Sequence, residues 1–312
     1  MPSSEHYREV AHGIADYLAS RQTPDGAFPG PDHYGRAFAV LLWSHFGGEY
    51  EANSAAALRH LAEHRPADHD EFNAYALLHY PDGAAVADLL RRLRFGRRHS
   101  ANWMLLRAVC RARPGPWHSP ARARLEARAA LLRYGRKELI YDRPGALSHS
   151  YHAFCGALMV DLGRDLDWPW ARDRAIRAAR ALQPHIPPDG DALRVGRGAE
   201  QIFGYGALLY LLEAAAALAG DASLHTSADR VFGFLTRFRR SDGSFPLTLN
   251  ADEAPEPWLP DPSRPGWYDY NRYADYLPFL GAYLVKAGEV RSSQCAIIPM
   301  SPGHARSADG HS

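Results

Sequence analysis

Lysine is nearly absent from this chain of 312 residues, where it occurs only at Lys137 and Lys286. Arginine therefore carries almost all of the positive charge, and its planar guanidinium group pairs well with carboxylate, sulfate or phosphate. The 36 basic and 35 acidic residues nearly cancel and leave a net charge of +1. This balance offers no electrostatic basis for binding nucleic acid or a membrane surface, so we expect neither as a partner.

Cysteines, targeting signals and long apolar runs are also scarce. The three cysteines, Cys110, Cys155 and Cys295, are far apart in the sequence and are expected to be reduced thiols. The first residues, MPSSEHYREVAHGIADYLAS, lack the basic region, apolar core and cleavage site of a signal peptide. We also expect no apolar run of the roughly 18 residues needed to cross a bilayer. Together these features predict a cytoplasmic protein.

Strand signals are few, whereas apolar residues recur with helical spacing along the whole chain. This spacing, interrupted at glycine, proline and aspartate, predicts twelve helices. They are expected near residues 5–20, 36–47, 51–64, 70–79, 84–95, 100–112, 119–135, 149–163, 169–183, 198–219, 224–239 and 270–287. With 46% apolar and 23% charged residues, the composition is that of a soluble globular protein.

Turn sequences recur between the predicted helices. TPDGAFPG, YPDGAA, YDRPGALS, PPDGDALRVG and RSDGSFPL place glycine at positions 26, 83, 145, 190 and 243, which are 45 to 62 residues apart. A period of about 50 residues fits one helical hairpin with its loops. Six hairpins closing into a ring predict an all-α (α/α)6 toroid, a single domain over residues 1–290, with an open α-solenoid as the alternative. Residues 291–312 have no helical period and are expected to form a disordered tail.

The two helices of each predicted hairpin differ in character. Odd-numbered helices, such as the one in RARLEARAALLRYGRKE, carry a broad charged face that is typical of an outer layer. Even-numbered helices, such as YGALLYLLEAAAALAG, are apolar on nearly every side and rich in small residues. We therefore expect the even-numbered helices to form the inner ring.

Polar and aromatic residues collect where the six predicted inner helices begin. These segments are DHYGRAF (32–38), DHDEFNAY (68–75), HSANW (99–103), SHSYHAF (148–154), GAEQIFGYG (198–206) and WYDYNRYADY (267–276). In a toroid all inner helices run in the same direction, so the six segments are expected to converge on one bowl. Helix capping accounts for the serine, aspartate and asparagine residues, but not for the histidine, tyrosine, tryptophan and arginine residues. The clustering predicts a ligand site.

The residues in this bowl indicate the chemistry of the ligand. Six helix N-termini favour an anion, and Arg36, Arg197 and Arg272 would add positive charge. Flat side chains that stack on sugar rings are supplied by Tyr34, Trp103, Trp267 and Tyr270. Further candidate contacts are His33, Glu71, Asn73, Gln201, Tyr205 and Asn271. The predicted partner is a small-molecule or oligosaccharide substrate that carries an acidic sugar.

An acidic sugar chain can be cut by β-elimination. This reaction needs a group that neutralises the uronate carboxylate, a base that removes the C5 proton and an acid that protonates the leaving oxygen. Asn102, Tyr151, His149 and His152 are candidates for these roles. A structural alternative stands beside each: a buried histidine or tyrosine that only satisfies hydrogen bonds in a helix interface has the same sequence pattern.

Two of the segments resemble a known family. SHSYHAF is similar to the Ser-x-Tyr-His stretch in the toroidal domain of heparinase II/III-type polysaccharide lyases, and HSANW resembles their Asn-Asn-His stretch. The resemblance implies that Asn102 neutralises the carboxylate, Tyr151 transfers the proton and His152 supports it. Trp103 stands where the family has histidine, and no β-sandwich domain follows the predicted toroid.

Other functions remain open from the sequence. Glycoside hydrolases on this fold use two carboxylates, about 5–5.5 or 6.5–9.5 Å apart, for which Asp70, Glu71, Glu200 and Asp275 are candidates. A terpenoid cyclase would need an acidic motif, whose nearest match is DHDE at residues 68–71. A sugar-binding toroid without catalysis is the non-enzyme alternative. No motif requires a metal or an organic cofactor, and the sequence leaves the oligomeric state undetermined.

Overall fold

A computed structural model describes residues 2–64, 68–250, 258–259, 268 and 271–295. Within these residues the chain forms twelve α-helices and one short β-hairpin. The helices are α1 (Ser4–Arg21), α2 (Gly35–Ser44), α3 (Glu51–Glu63), α4 (Asp70–His79), α5 (Gly83–Arg92), α6 (Ala101–Ala112), α7 (Pro120–Tyr134), α8 (His149–Asp165), α9 (Pro169–Leu182), α10 (Ile202–Ala219), α11 (Ala222–Thr236) and α12 (Tyr273–Cys295). The hairpin pairs β1 (Gly135–Arg136) with β2 (Leu139–Ile140) in antiparallel register.

The even-numbered helices form a closed inner ring. Each packs against the next along the chain, from α2 through α4, α6, α8 and α10 to α12, and α12 packs back against α2. The odd-numbered helices lie outside this ring, where α7 packs on α6, α9 on α8 and α11 on α10. Contact between α12 and α2 distinguishes a toroid from an open solenoid. The predicted (α/α)6 toroid is therefore confirmed.

Burial follows the two layers that the sequence predicts. In the inner helix α10 every residue from Ile202 to Ala216 is buried. In the outer helix α9 the buried residues include Ala171, Ala175 and Ala178, which repeat at helical spacing on one face. Small alanine side chains let the outer layer approach the ring closely.

Helix α10 corrects one expectation from the sequence. Ile202–Ala219 is 18 residues long and apolar enough to cross a membrane by length and composition. In the structure 83% of this stretch is buried, because α8, α9, α11 and α12 all pack against it. Its apolar character therefore serves the core of the toroid.

The boundaries of helices α10 and α12 differ from those predicted. Helix α10 begins at Ile202 rather than at residue 198, because Gly198 and Glu200 adopt left-handed backbone conformations (φ of 72° and 58°) that interrupt a helix. Helix α12 begins at Tyr273 and continues to Cys295, beyond the predicted end of the toroid. The rest of the predicted tail, residues 296–312, lies outside the described residues.

A polar cluster lies deep inside the ring, where four of the inner helices meet. Both carboxylate oxygens of Asp161 lie 2.8 Å from Nζ of Lys286. The hydroxyls of Tyr75 and Tyr210 donate to the same carboxylate at 2.7 and 2.8 Å. Since Tyr283 donates in turn to Tyr75, helices α4, α8, α10 and α12 are tied together across the axis.

Candidate functional site

A cavity of about 540 Å³ opens at the end of the ring where the inner helices begin. All six inner helices, or the residue that precedes them, contribute to its wall. The lining residues are Tyr34, His69, Phe72, Arg98, His99, Ser100, Asn102, Trp103, Tyr134, Arg143, Pro144, Tyr151, Phe154, Arg197, Phe203 and Tyr276. The predicted bowl therefore exists, and it includes five of the predicted site residues: Tyr34, Asn102, Trp103, Tyr151 and Arg197.

Tyr151 enters the cavity from the first turn of α8. The hydroxyl of Ser148 accepts a hydrogen bond from the Tyr151 amide and so caps this helix. The guanidinium of Arg197 lies 4.2 Å from the centre of the Tyr151 ring. Asp142, which is buried, holds Arg197 in place through an ion pair of 2.7 Å. A tyrosine and a fixed positive charge are thus presented together to the ligand.

Asn102 lies on the first turn of α6, where its side chain is almost fully buried. The Ser100 hydroxyl donates to Oδ1 of Asn102 at 2.6 Å. With Oδ1 engaged by Ser100, Nδ2 is the atom of this amide that donates. Asn102 can therefore donate a hydrogen bond to an anionic group in the cavity, as the resemblance to polysaccharide lyases implies.

Aromatic rings form much of the remaining wall. Tyr34 stacks on Phe72 with 4.5 Å between ring centres. Trp103 packs edge-on against Phe72 and is covered by the Arg98 guanidinium at 4.6 Å. These contacts hold the flat faces of the wall in fixed orientations before any ligand binds.

His69 is a lining residue that the sequence analysis did not single out. It precedes α4 and has a left-handed backbone conformation (φ of 71°), which is uncommon for a residue with a side chain. Its ring stacks on His33 at 4.3 Å and contacts Trp103 at 5.1 Å. Burial lowers the pKa of His69 to about 3, so the ring is neutral at physiological pH. Its Nδ1 is buried and, within the described residues, has no hydrogen-bond partner.

His149 and His152 follow the same helix start as Tyr151 but do not line the cavity. The Nδ1 atom of His152 accepts from the amide of Ile140 at 2.8 Å, and its Nε2 lies 2.9 Å from the carbonyl oxygen of Ala178. The predicted support of catalysis by His152 therefore does not fit its position, because both ring nitrogens bind backbone. His149 is likewise buried, with Nδ1 3.2 Å from the carbonyl oxygen of Ala192.

The candidate hydrolase carboxylates Asp275 and Glu200 also lie outside the cavity wall. One oxygen of Asp275 accepts hydrogen bonds from three consecutive amides, those of residues 33–35, each at 2.8 Å. Asp275 therefore caps α2 from the neighbouring helix α12. Burial, together with the nearby charge of Asp32, raises the pKa of Asp275 to about 8. Glu200 sits in the turn before α10, where burial raises its pKa.

Three predicted ligand contacts serve structural roles. Arg36, in the first turn of α2, pairs at 2.8 Å with Asp32 in the loop before this helix. Glu71 accepts from the Gly96 amide at 2.9 Å and lies 3.4 Å from Arg107. The side-chain amide of Asn73 donates to the carbonyl oxygen of His33. None of these predicted residues lines the cavity, because each satisfies a neighbouring helix or loop. His33 stacks on His69, which lines the cavity.

The remaining predicted contacts are placed as follows. Gln201 forms an isolated β-bridge with Thr248, and the Tyr205 hydroxyl donates to Asp191. Asn271 accepts from the hydroxyl of Tyr276, while Arg272 donates to the Asn271 carbonyl. None of Gln201, Tyr205, Asn271 and Arg272 lines the cavity, although Asn271 orients Tyr276, which does. Trp267 and Tyr270 lie outside the described residues.

Several lining residues were missed by the sequence analysis. Arg98 and His99 precede α6, and Arg143 lies in the turn before α8. A signal for them exists, because each stands within six residues of a predicted inner-helix start. Phe72, Phe154 and Phe203 have no such signal. In the sequence, a phenylalanine of an inner helix that lines a cavity looks the same as one that packs in the hydrophobic core.

A different cluster could hold a metal ion. Within the residues that the structure describes, the donor atoms of His12, Asp16 and Glu49 all lie within 4.8 Å of one another. This cluster is on the outer surface, where Tyr50 donates to Asp16 at 2.6 Å. It lies apart from the cavity, and its members already bind one another.

Known structures share this fold over nearly the whole chain. A polysaccharide lyase superposes with a TM-score of 0.62 at 10% identity, over 95% of this chain and 99% of its own. A glycosyl hydrolase of family 88 from Bacteroides vulgatus gives 0.62 at 11% identity, over 93% and 99%. A cellobiose 2-epimerase from Bacillus thermoamylovorans gives 0.65 at 12% identity, over 90% and 98%.

No protein-family model and no curated protein matches the sequence. At these identities the superpositions establish the architecture alone. The resemblance to the toroidal domain of polysaccharide lyases is confirmed at the level of the fold: the chain is an (α/α)6 toroid similar to those of lyases, glycoside hydrolases and sugar epimerases.

Proposed function

We propose that this protein is a carbohydrate-active enzyme that cleaves a uronate-containing oligosaccharide or glycoside by β-elimination. One observation carries the proposal. Among the described residues, the cavity wall contains Asn102, Tyr151 and three arginines but neither aspartate nor glutamate. A site of this composition favours an anionic substrate and proton transfer by groups other than carboxylates.

Each chemical requirement of the elimination has a residue in the cavity. The Asn102 amide and the arginines bind and neutralise the uronate carboxylate, which makes the C5 proton more acidic. Tyr151 acts as its phenolate, which the Arg197 guanidinium against its ring stabilises, and takes the C5 proton. The C4–O bond breaks as the C4=C5 double bond forms, and the leaving oxygen takes up the proton from the Tyr151 hydroxyl, which returns Tyr151 to its phenolate.

The alternatives receive less support from the described residues. Hydrolysis needs two carboxylates across the scissile bond, whereas Asp275 caps α2 and Glu200 lies in a turn outside the wall. Cyclisation needs an acidic motif that faces the cavity. Asp70 instead accepts from the Arg94 amide, and Glu71 pairs with Arg107. The product assay described below distinguishes a protein that binds the sugar without catalysis from an enzyme.

We also propose a cytoplasmic location, which agrees with the buried free thiols of Cys110 and Cys155.

The proposal is tested by ultraviolet absorbance of the unsaturated uronate product, with a panel of uronic-acid oligosaccharides and glycosides. Tyr151→Phe is expected to reduce the elimination rate by about 10²–10⁴-fold, because it removes the proton-transfer group. Tyr273→Phe is the matched control. Its hydroxyl bonds the Phe245 carbonyl away from the cavity, so its rate is expected to stay within about twofold.

The other outcomes are equally informative. Release of reducing ends without ultraviolet absorbance would mean hydrolysis and would contradict the assignment of Tyr151. Binding of a uronate without either product would leave a carbohydrate-binding toroid.

A further inference from the structure

The bottom of the cavity is made of three phenylalanines from three different inner helices. Phe72, Phe154 and Phe203 all line the cavity with at most 7% of their surface exposed. Phe154 and Phe203 both contact Phe279, at 5.4 and 6.0 Å between ring centres. Phe279 is buried in the axial core one level deeper. We call Phe72, Phe154 and Phe203 the floor of the cavity.

The positive charges are at the opposite end. Arg98, Arg143 and Arg197 lie in the loops that precede α6, α8 and α10, and we call these three residues the rim. Two of them have carboxylate partners: Asp142 pairs with Arg197, and Asp68 lies 3.4 Å from Arg98. Neither carboxylate lines the cavity. The cavity is therefore cationic at its mouth and apolar at its bottom.

A purely carbohydrate ligand fits this division poorly. Tyrosine and tryptophan can stack on a sugar and also bind its hydroxyls, but phenylalanine has no polar atom. A sugar pressed onto the floor would bury hydroxyls without hydrogen-bond partners, which is unfavourable because each hydroxyl gives up its bonds to water. An apolar group in the same place is favoured, because its surface is removed from water.

We propose that the substrate is a uronide whose sugar carries an apolar, flat aglycone, with the carboxylate at the rim and the aglycone on the floor. This inference rests on the proposed function, because it takes the rim as the uronate site. A cavity of about 540 Å³ is large enough for one such amphipathic molecule. During elimination the aglycone stays on C1 of the unsaturated sugar, while the group on O4 leaves as an alcohol.

The test is isothermal titration calorimetry with three probes. Para-nitrophenyl β-glucuronide carries both groups, methyl β-glucuronide lacks the aromatic aglycone, and para-nitrophenyl β-glucoside lacks the carboxylate. The first probe is expected to bind at least about tenfold more tightly than either of the others, since only it occupies both rim and floor.

Two variants test whether the floor causes the tighter binding of the para-nitrophenyl glucuronide. Phe203→Leu is expected to reduce the preference for para-nitrophenyl over methyl glucuronide by about threefold or more, because the leucine covers less of an aromatic ring. Phe234→Leu, at an equally buried residue of α11 outside the cavity, is the control and is expected to leave the preference unchanged. Phe154→Leu replaces Phe203→Leu if that variant melts at a clearly lower temperature.

The outcomes separate the two proposals. Equal binding of the two glucuronides would overturn the aglycone site and leave the uronate site standing. Equal binding of the two nitrophenyl probes, both tighter than methyl glucuronide, would support the floor and contradict the uronate site. No binding by any probe at millimolar concentration would overturn both.

Discussion

The inner helices carry polar groups in two opposite ways, deep in the ring and at its open end. Deep in the ring, Asp161 meets Lys286, and the tyrosine hydroxyls around them complete the hydrogen bonds. At the open end, Asn102, Tyr151 and the rim arginines face a cavity. The comparison indicates that polar groups balanced by one another hold the toroid together, whereas those directed into the cavity remain available for a ligand.

The largest effect on stability is expected from disrupting the Asp161–Lys286 ion pair inside the ring. Lys286→Met removes the buried ammonium partner of Asp161 and leaves its carboxylate beside the half-exposed Arg164, so the free energy of unfolding should fall by about 3–5 kcal/mol. Urea denaturation measures this loss. Lys137→Met, at the other lysine of the chain, is the control, because Lys137 is exposed and its replacement should change stability by less than about 0.5 kcal/mol.

The double variant Asp161→Asn/Lys286→Met sharpens this test. Removing both charges eliminates the buried carboxylate that Lys286→Met leaves beside the half-exposed Arg164, so the double variant should be more stable than Lys286→Met alone. Equal stability of Lys286→Met and Lys137→Met would show that the Asp161–Lys286 ion pair does not stabilise the toroid.

An intermediate effect concerns pH at the junction of α12 and α2. Burial raises the pKa of Asp275 from its usual 3.8 to about 8, so the folded protein favours the protonated acid. The contribution of Asp275 to stability is therefore fully present below about pH 4 and is lost as the pH rises towards 8, by at most about 1.4 kcal/mol per pH unit. Asp32 is the neighbouring carboxyl that adds to this shift.

Urea denaturation between pH 4 and pH 8 checks this prediction. Wild-type stability should decline more steeply with pH than that of Asp275→Asn, whose amide oxygen can still accept from the amides of residues 33–35. Parallel curves for the two proteins would mean that Asp275 stays ionised at this cap.

The smallest effect is expected at the open end. Arg143→Gln removes an exposed rim charge, so the affinity for para-nitrophenyl β-glucuronide should fall by about fivefold, with stability unchanged. The affinity for the uncharged glucoside should not change. Arg177→Gln, at a surface arginine paired with Asp173 on α9, is the control. A similar loss in both variants would indicate that overall charge, rather than the rim, attracts the ligand.

The fold was largely predictable because its signal is local. Helical spacing of apolar residues placed α4 at 70–79, where the structure has Asp70–His79. The recurring turns gave the number of hairpins, and the contrast between charged and apolar helices separated the two layers. Helix α10 shows the limit of composition, since its apolar length alone does not distinguish a core helix from a membrane span.

The candidate site was predictable only in part. The segment SHSYHAF brings Tyr151 to the cavity but turns His149 and His152 away from it. Successive residues of a helix point about 100° apart, so one helix start supplies side chains to several surroundings. Which of them face the cavity depends on how α8 is rotated against α9 and the β-hairpin, and this packing is long-range.

The sequence by itself determined the order of the helices, the number of hairpins and the gathering of polar and aromatic residues where inner helices begin, because these follow from local periodicity and turn chemistry. The tertiary structure alone decided that Asp275 caps a helix distant in sequence, that His69 joins the wall and that three phenylalanines form its floor. These facts depend on contacts between residues far apart in the chain, which only the closed ring brings together.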